Sequence, residues 1–403
     1  MLIGVSHPSF GATGGAEILL ARQIAGLRAR GHRVRLVTMA LDETRWPTLP
    51  RMAEIRLAPK HWTDAFFPVG TAKLRRRVAR QAARLAEVDA VLASGYPANL
   101  VAVRTTARRS VWYCNEPSRR LHFASTYPTL AARVRRVPAS EDSPLYAHVR
   151  CRLAAEATPD RRLTAMRLAD RLATAQVDRI VANSGYAAQF VRRVYQRDAD
   201  AVVYPTVPLP PAASARRDAH VRGGLRVLVH SRLELMKNID PVLHGFARFA
   251  VRVRGSHELH VAGTGPDRAR LESLGGSLLG DRVHFHGFVH DEALEALYAR
   301  CHVMALVPPD EPFGLVFPEA ALRGLLLVGP DHGGPCEILG GGTLGWTVDA
   351  FDPEAIAAAL EEVACLSPAE AACRRRIAAD ACRARYCDES TVPALLAVLE
   401  DGA

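Results

Sequence analysis

Short β-branched runs alternate with helix-patterned stretches along the whole chain, and the alternation stops once and starts again. The first series opens with "LIGVS" (2–6), a glycine-rich turn "GATGG", and a helix from Ala16 to about Arg30 whose Leu20, Ile24 and Leu27 share one face. Gly31 ends that helix, and "HRVRLVTMA" supplies the next strand. Runs at 90–95, 110–115, 179–184 and 201–205 continue the series. Residues 204–218, "YPTVPLPPAASARRD", are rich in Pro and Ala without periodicity and read as a linker. The second series follows, with runs at 225–231, 258–263, 282–288, 303–308, 325–330 and 345–349. Helix starts between them, as in "NIDPVLHGFARF" and "FDPEAIAAALEEV", carry Asp at the cap and Pro at the first turn.

Short apolar strands each followed by a helix imply parallel sheets covered on both faces. The expected fold class is α/β, with two Rossmann-like doubly wound domains facing each other across a cleft. Their expected limits are 1–205 and 206–385, with a tail helix in 386–403 packing back on the first domain. A ligand is expected at the carboxyl ends of the strands.

The net charge of +10 is carried almost wholly by Arg, since Lys60, Lys73 and Lys237 are the three lysines. A basic surplus suits phosphate-bearing small molecules or an anionic membrane surface. Nucleic acid is disfavoured, because no dense basic block is interleaved with aromatics. The N-terminus lacks a basic, then apolar, leader pattern, and apolar runs such as "LLLVG" (325–329) fall far short of the ~20 residues of a membrane helix. A cytoplasmic protein is expected, with peripheral contact at the inner membrane face as the variant that its basic N-terminal half suits. The eight cysteines form no C-x-x-C pair and read as reduced thiols.

The stretch "DEPFGLVFPEA" (310–320) sets Glu311 and Glu319 eight apart around an apolar segment. "FPEAALRG" reads as a helix closed by Gly324, so the amides of Gly314, Leu315 and Val316 fall at a helix start, where N–H groups without helical partners favour a phosphate. Glu319 lies about a turn further on, suited to ribose hydroxyls, and Glu311 would face a sugar. A first-turn Glu that merely complements the helix dipole is the competing reading. The scarcity of lysine singles out Lys237 in "SRLELMKN".

This pattern resembles the E-x7-E segment of the retaining family-4 glycosyltransferases, which have the GT-B fold, and the likeness covers nearly the whole chain. "GATGGAEILLARQIAGLRARGHRVRLVT" is similar to the family's Gly-Gly loop and helix, which implies that Gly14 and Gly15 approach the donor diphosphate. "HSRLELMKN" resembles its Arg-x4-Lys phosphate clamp, giving Arg232 and Lys237. "LHVAGTGP" and "VHFHGFV" resemble the strands lining the nucleoside, which brings in Gly263, Phe288 and Val289, and "GPDHGGPCEIL" the loop after the next strand. Phe313 belongs to the E-x7-E segment itself. The resemblance implies a sugar moved from a UDP- or GDP-linked donor to a hydroxyl of a glycan, lipid-linked or small-molecule acceptor. The second domain would hold the donor and the first the acceptor, with no cofactor besides the donor substrate. In such an enzyme Arg232 and Lys237 neutralise the leaving diphosphate.

The chain departs from the family in "VWYCNEPSRRLH": the family's sugar-contacting His is Asn115 here. Asn can bond a sugar hydroxyl but carries no proton at neutral pH, so either Asn115 positions the sugar, His122 reaches in, or activity is altered. A non-catalytic nucleotide-sugar-binding protein is the alternative that Asn115 suggests. An oxidoreductase or epimerase would need a G-x-G-x-x-G spacing that "GATGGAE" lacks. Residues 118–165, with basic helical pieces, read equally as an acceptor-side insertion or as an Arg-coated helical hairpin. "DAD" (198–200) matches a metal-holding D-x-D but lies in a turn, and "HFHGFVH" alternates along a strand, so no metal is expected.

Overall fold

The computed structural model describes residues 1–11, 14–58, 71–138, 143–210 and 224–400, the side chains of 71–74 excepted. Lys60, residues 12 and 13 of the Gly-Gly loop and most of the Pro-rich linker lie outside the described residues. Thirteen strands are described: β1 (Leu2–Ser6), β2 (Arg33–Thr38), β3 (Glu54–Leu57), β4 (Ala90–Ser94), β5 (Arg109–Cys114), β6 (Arg179–Ala182), β7 (Ala201–Val202), β8 (Arg226–His230), β9 (Glu258–Ala262), β10 (Val283–Gly287), β11 (Val303–Ala305), β12 (Leu326–Pro330) and β13 (Trp346–Val348). The helices that matter below are α1 (Gly15–Ala29), α2 (Pro144–Ala157), α3 (Arg161–Gln176), α4 (Val316–Leu322) and α5 (Asp388–Glu400).

Two compact units divide the chain. The first comprises Met1–Pro128, Arg150–Thr206 and Asp388–Ala403, the second Thr129–Val149 and Val207–Cys387. The first carries a seven-stranded sheet of order β3-β2-β1-β4-β5-β6-β7, the second a six-stranded sheet of order β10-β9-β8-β11-β12-β13, with parallel pairing throughout. In each, strand order reverses beside the first strand, between β1 and β4 and between β8 and β11. Such reversal points leave a crevice at the carboxyl ends of the strands.

Three details differ from the sequence reading. β3 is absent from the sequence reading: "EIRL" is a four-residue edge strand with three of its four residues exposed, so it lacks the apolar run that marks a buried strand. The strands near 201 and 303 are shorter than their apolar runs, although Val203 and Leu306 still donate to the carbonyls of Ala182 and Val328 at 2.9 and 3.1 Å. Residues Thr129–Val149 group with the second unit rather than the first. The reason is local: fully buried Asp310 accepts from the N–H groups of Thr129 and Leu130 at 3.2 and 2.9 Å, and Arg133 stacks on Phe351 at 4.5 Å.

In the first unit α1 buries Leu20, Ile24 and Leu27 in the core, where Val392, Leu395 and Leu399 of α5 join it. The approach is close. A side chain at Gly26 would begin 2.5 Å from a methyl of Val392.

Candidate functional site

In the second unit the segment after β8 turns sharply. Asn238, with φ of +53° and almost wholly buried, donates through its amide to the carbonyls of Val307 and Ala350 at 3.0 and 2.7 Å. This anchors the one-turn helix Leu235–Lys237 and sets the Lys237 ammonium 2.8 Å from the Glu311 carboxylate. Arg232 is exposed and pairs with Glu234 at 3.3 Å. The turn after β9 lies on the same backbone: Leu233 donates to the Thr264 carbonyl at 2.9 Å, and a side chain at Gly263 would begin 1.8 Å from the Ser231 carbonyl oxygen. Gly263, at φ of +139°, therefore cannot be replaced without moving Ser231 away.

On the strand side of the reversal point, Glu311 leads through Gly314 (φ +88°) into α4. The Glu311 carbonyl accepts from Gly334 at 2.8 Å, so the loop after β12 braces it. Gly314, Leu315, Val316 and Glu319 are half-buried, whereas the Phe313 ring packs edge-on against Tyr386 inside the protein. A donor contact by Phe313 would thus be made by its backbone. Phe288 is exposed and meets His290, and Val289 beside it is half-buried. His230, the last residue of β8, bonds the Tyr298 hydroxyl at 3.0 Å. Burial, reinforced by the Arg323 charge, lowers its pKa to about 4, so at neutral pH it carries no charge.

The first unit brings a second set together. Gly14 is the N-cap of α1 and Gly15 its first residue. Glu17 in the same turn stands 3.6 Å from the His7 ring, whose other nitrogen bonds the Ser94 carbonyl at 3.1 Å across the β1–β4 reversal point. Burial would raise the Glu17 carboxyl, but hydrogen bonds from His7 and from the N–H groups of Glu17 and Gly14 bring it below the usual carboxylate range. The Ser94 hydroxyl accepts from the Asn115 amide at 3.4 Å, and Asn115 in turn accepts from Asn183 at 3.4 Å. Asn115 therefore sits half-buried among strand ends. His122 does not reach that place: it is buried and bonds Asp170 at 2.9 Å, in a network with Asn99 and Tyr195.

Sequence reasoning missed His7, Glu17, Asn183 and Asn238. The His immediately after the first strand and the Asn after the lone useful Lys were the available signals. The D-x-D carboxylates are taken: Asp198 pairs with Arg192, and Asp200 accepts from the Ile180 N–H at 2.8 Å and pairs with Arg197. Among the described residues no group of three His, Cys, Asp or Glu could hold a metal ion.

Residues 215–379 match the family model described as "Glycosyl transferases group 1". The matched stretch is similar to the group 1 glycosyltransferases. The mannosylfructose-phosphate synthase of Agrobacterium fabrum is 32% identical over 143 residues, 32% of this chain and 31% of that protein. A D-inositol 3-phosphate glycosyltransferase of Geodermatophilus obscurus is 31% identical over 206 residues, 47% of this chain and 46% of its own. The chain thus spans a third to a half of the curated relatives it matches. Anabaena HepE, solved with UDP and glucose, covers 99% of both chains at a TM-score of 0.72 and 18% identity. WaaG, described as a glycosyltransferase of lipopolysaccharide biosynthesis, covers 99% of this chain and all of its own at 0.66 and 15%. These likenesses establish the GT-B fold for this chain. No described helix is long and apolar enough to cross a membrane.

Proposed function

We propose that this chain is a glycosyltransferase that moves a hexose, with retention, from a nucleotide diphosphate sugar to an acceptor hydroxyl, without a metal. The observation that carries the reading is the Lys237–Glu311 pair at the reversal point of the second sheet, with Arg232 exposed on the same turn. An arriving diphosphate would draw on both cations, whose attraction grows as the bond to the sugar breaks and charge develops on the leaving oxygen. Glu311, released from Lys237, would bond sugar hydroxyls, and Glu319 the ribose. In the first unit Asn115, steadied by Ser94 and Asn183, would position the sugar without exchanging a proton. The UDP and glucose held by HepE favour UDP-glucose as donor. Acceptors bearing phosphate are suggested by the names of the two curated relatives given above.

A thermal-shift panel of UDP-, GDP- and ADP-glucose tests this, because a ligand of the native state raises the melting temperature. The expected result is the largest rise with UDP-glucose, and a matching rise with UDP alone. No rise with any of the three would end the donor reading.

A further inference from the structure

In the first unit a cavity of about 440 Å³ opens between the connector that follows β5 and the helices α2 and α3. Three guanidinium groups from three segments line it: Arg120 on the connector, Arg152 on α2 and Arg162 in the first turn of α3. Phe123 and Met166, both buried, form with Leu163 the apolar part of the wall. Arg152 is fixed, lying over the Phe123 ring at 4.9 Å and donating to the Arg119 carbonyl at 3.0 Å. Two carboxylates also line the cavity, but both have internal work. Glu156 accepts from the Ala124 N–H at 2.6 Å and pairs with Arg167 at 3.3 Å, and Asp160 caps α3 by accepting from Leu163 at 2.6 Å. With three guanidinium groups against two carboxylates, the lining keeps a net positive charge.

A purely apolar ligand would leave the cationic part of the wall without an acceptor in place of the water it displaces. A carboxylate offers two oxygens to those forks, whereas a phosphate monoester offers three and close to two negative charges. The same connector begins at Asn115, so the cavity stands on the strand-end side of the sheet.

We propose that this cavity binds the phosphate-bearing end of the acceptor, its ester carbon atoms resting on Phe123, Leu163 and Met166. The proposal rests on the reading that the chain transfers sugars, and it names the acceptor class. Calorimetry on the full chain tests it with two soluble probes, glucose 6-phosphate and dioctanoyl phosphatidate, against glucose and dioctanoylglycerol. The wild type should bind at least one phosphate ester and neither dephosphorylated counterpart. Each of two double variants, R152Q/R162Q and R120Q/R162Q, should lose about tenfold or more in that affinity, as expected for removal of charge-assisted bonds. Tighter binding of the phosphatidate assigns the site to a lipid-linked acceptor, and tighter binding of the hexose phosphate to a free one. UDP affinity, which depends on the second unit, should stay unchanged in both variants. UDP binding lost from every protein, with ester binding intact, would sink the donor reading alone. Equal ester affinity in wild type and both variants, or none in the wild type, would overturn the cavity assignment.

Discussion

Lys237 and Glu311 are 74 positions apart in the chain and 2.8 Å apart in the fold. Each is roughly four-fifths buried, so the pair is partly withdrawn from water and its removal from one side leaves an uncompensated charge. Glu311→Ala is therefore expected to cost turnover about 10²-fold while leaving UDP affinity near that of wild type, since Lys237 stays available to phosphate. Glu319→Ala should instead weaken UDP and UDP-glucose alike by about tenfold, the loss of one charge-assisted bond to a ribose. Calorimetry with UDP and steady-state kinetics separate the two. If both variants bind UDP as wild type does, the division of roles between the carboxylates is wrong.

At the level of elements, α1 and α5 meet where Gly26 faces Val392. Gly26→Leu should destabilise the chain by about 1–3 kcal/mol through overpacking, and Val392→Ala should restore part of that loss. Denaturant melts of the two singles and the double decide it, and strict additivity would mean that the helices do not bear on each other there. The edge strand β10 and its neighbour β9 make a pH-dependent contribution. His260 is almost wholly buried, bonds His286 at 3.0 Å and Glu258 at 3.1 Å, and stacks on His284, with Arg300 on Glu258 nearby. Burial is the main cause of its pKa falling to about 4, the hydrogen bond that its ring donates to Glu258 opposing it and the Arg300 and neighbouring His charges adding to it. A folded-state value below the unfolded ~6.5 means that the unfolded chain binds more protons between the two, so stability present above pH 6.5 is lost as pH falls towards 4. The melting temperature should decline across that window, and His260→Gln should flatten the decline. A flat profile in the wild type would contradict the burial argument.

Taken whole, the molecule carries +10, and in the first unit exposed basic and apolar groups adjoin. Leu168 and Leu172, both more than half exposed, line a groove of about 530 Å³ beside Arg75 and Arg104. Such a surface suits the edge of an anionic bilayer, where each cation contributes about 1 kcal/mol within a Debye length. Sedimentation with vesicles should show binding to phosphatidylglycerol and not to phosphatidylcholine, reversed by about 0.5 M salt. Leu168→Asp with Leu172→Asp should abolish it, and vesicle binding unaffected by salt and by these changes would rule the surface out.

Local pattern determined a good deal here. Apolar runs of four to six residues, each followed by a helix with its own start and stop signals, specify two parallel doubly wound sheets, because each run must bury both faces. The apolar face of α1 and the helix beginning near Val316 follow from periodicity and turn chemistry alone. Burial in the fold decided the rest. The mostly exposed "EIRL" becomes a strand because β2 offers it an edge. Phe313 turns inward and His122 is withdrawn into the Asp170 network, though both look available in the chain. Residues Thr129–Val149 join the second unit because a fully buried aspartate 180 positions away needs their N–H groups. A carboxylate without a partner cannot stay inside a protein, and which partner it finds is a property of three dimensions.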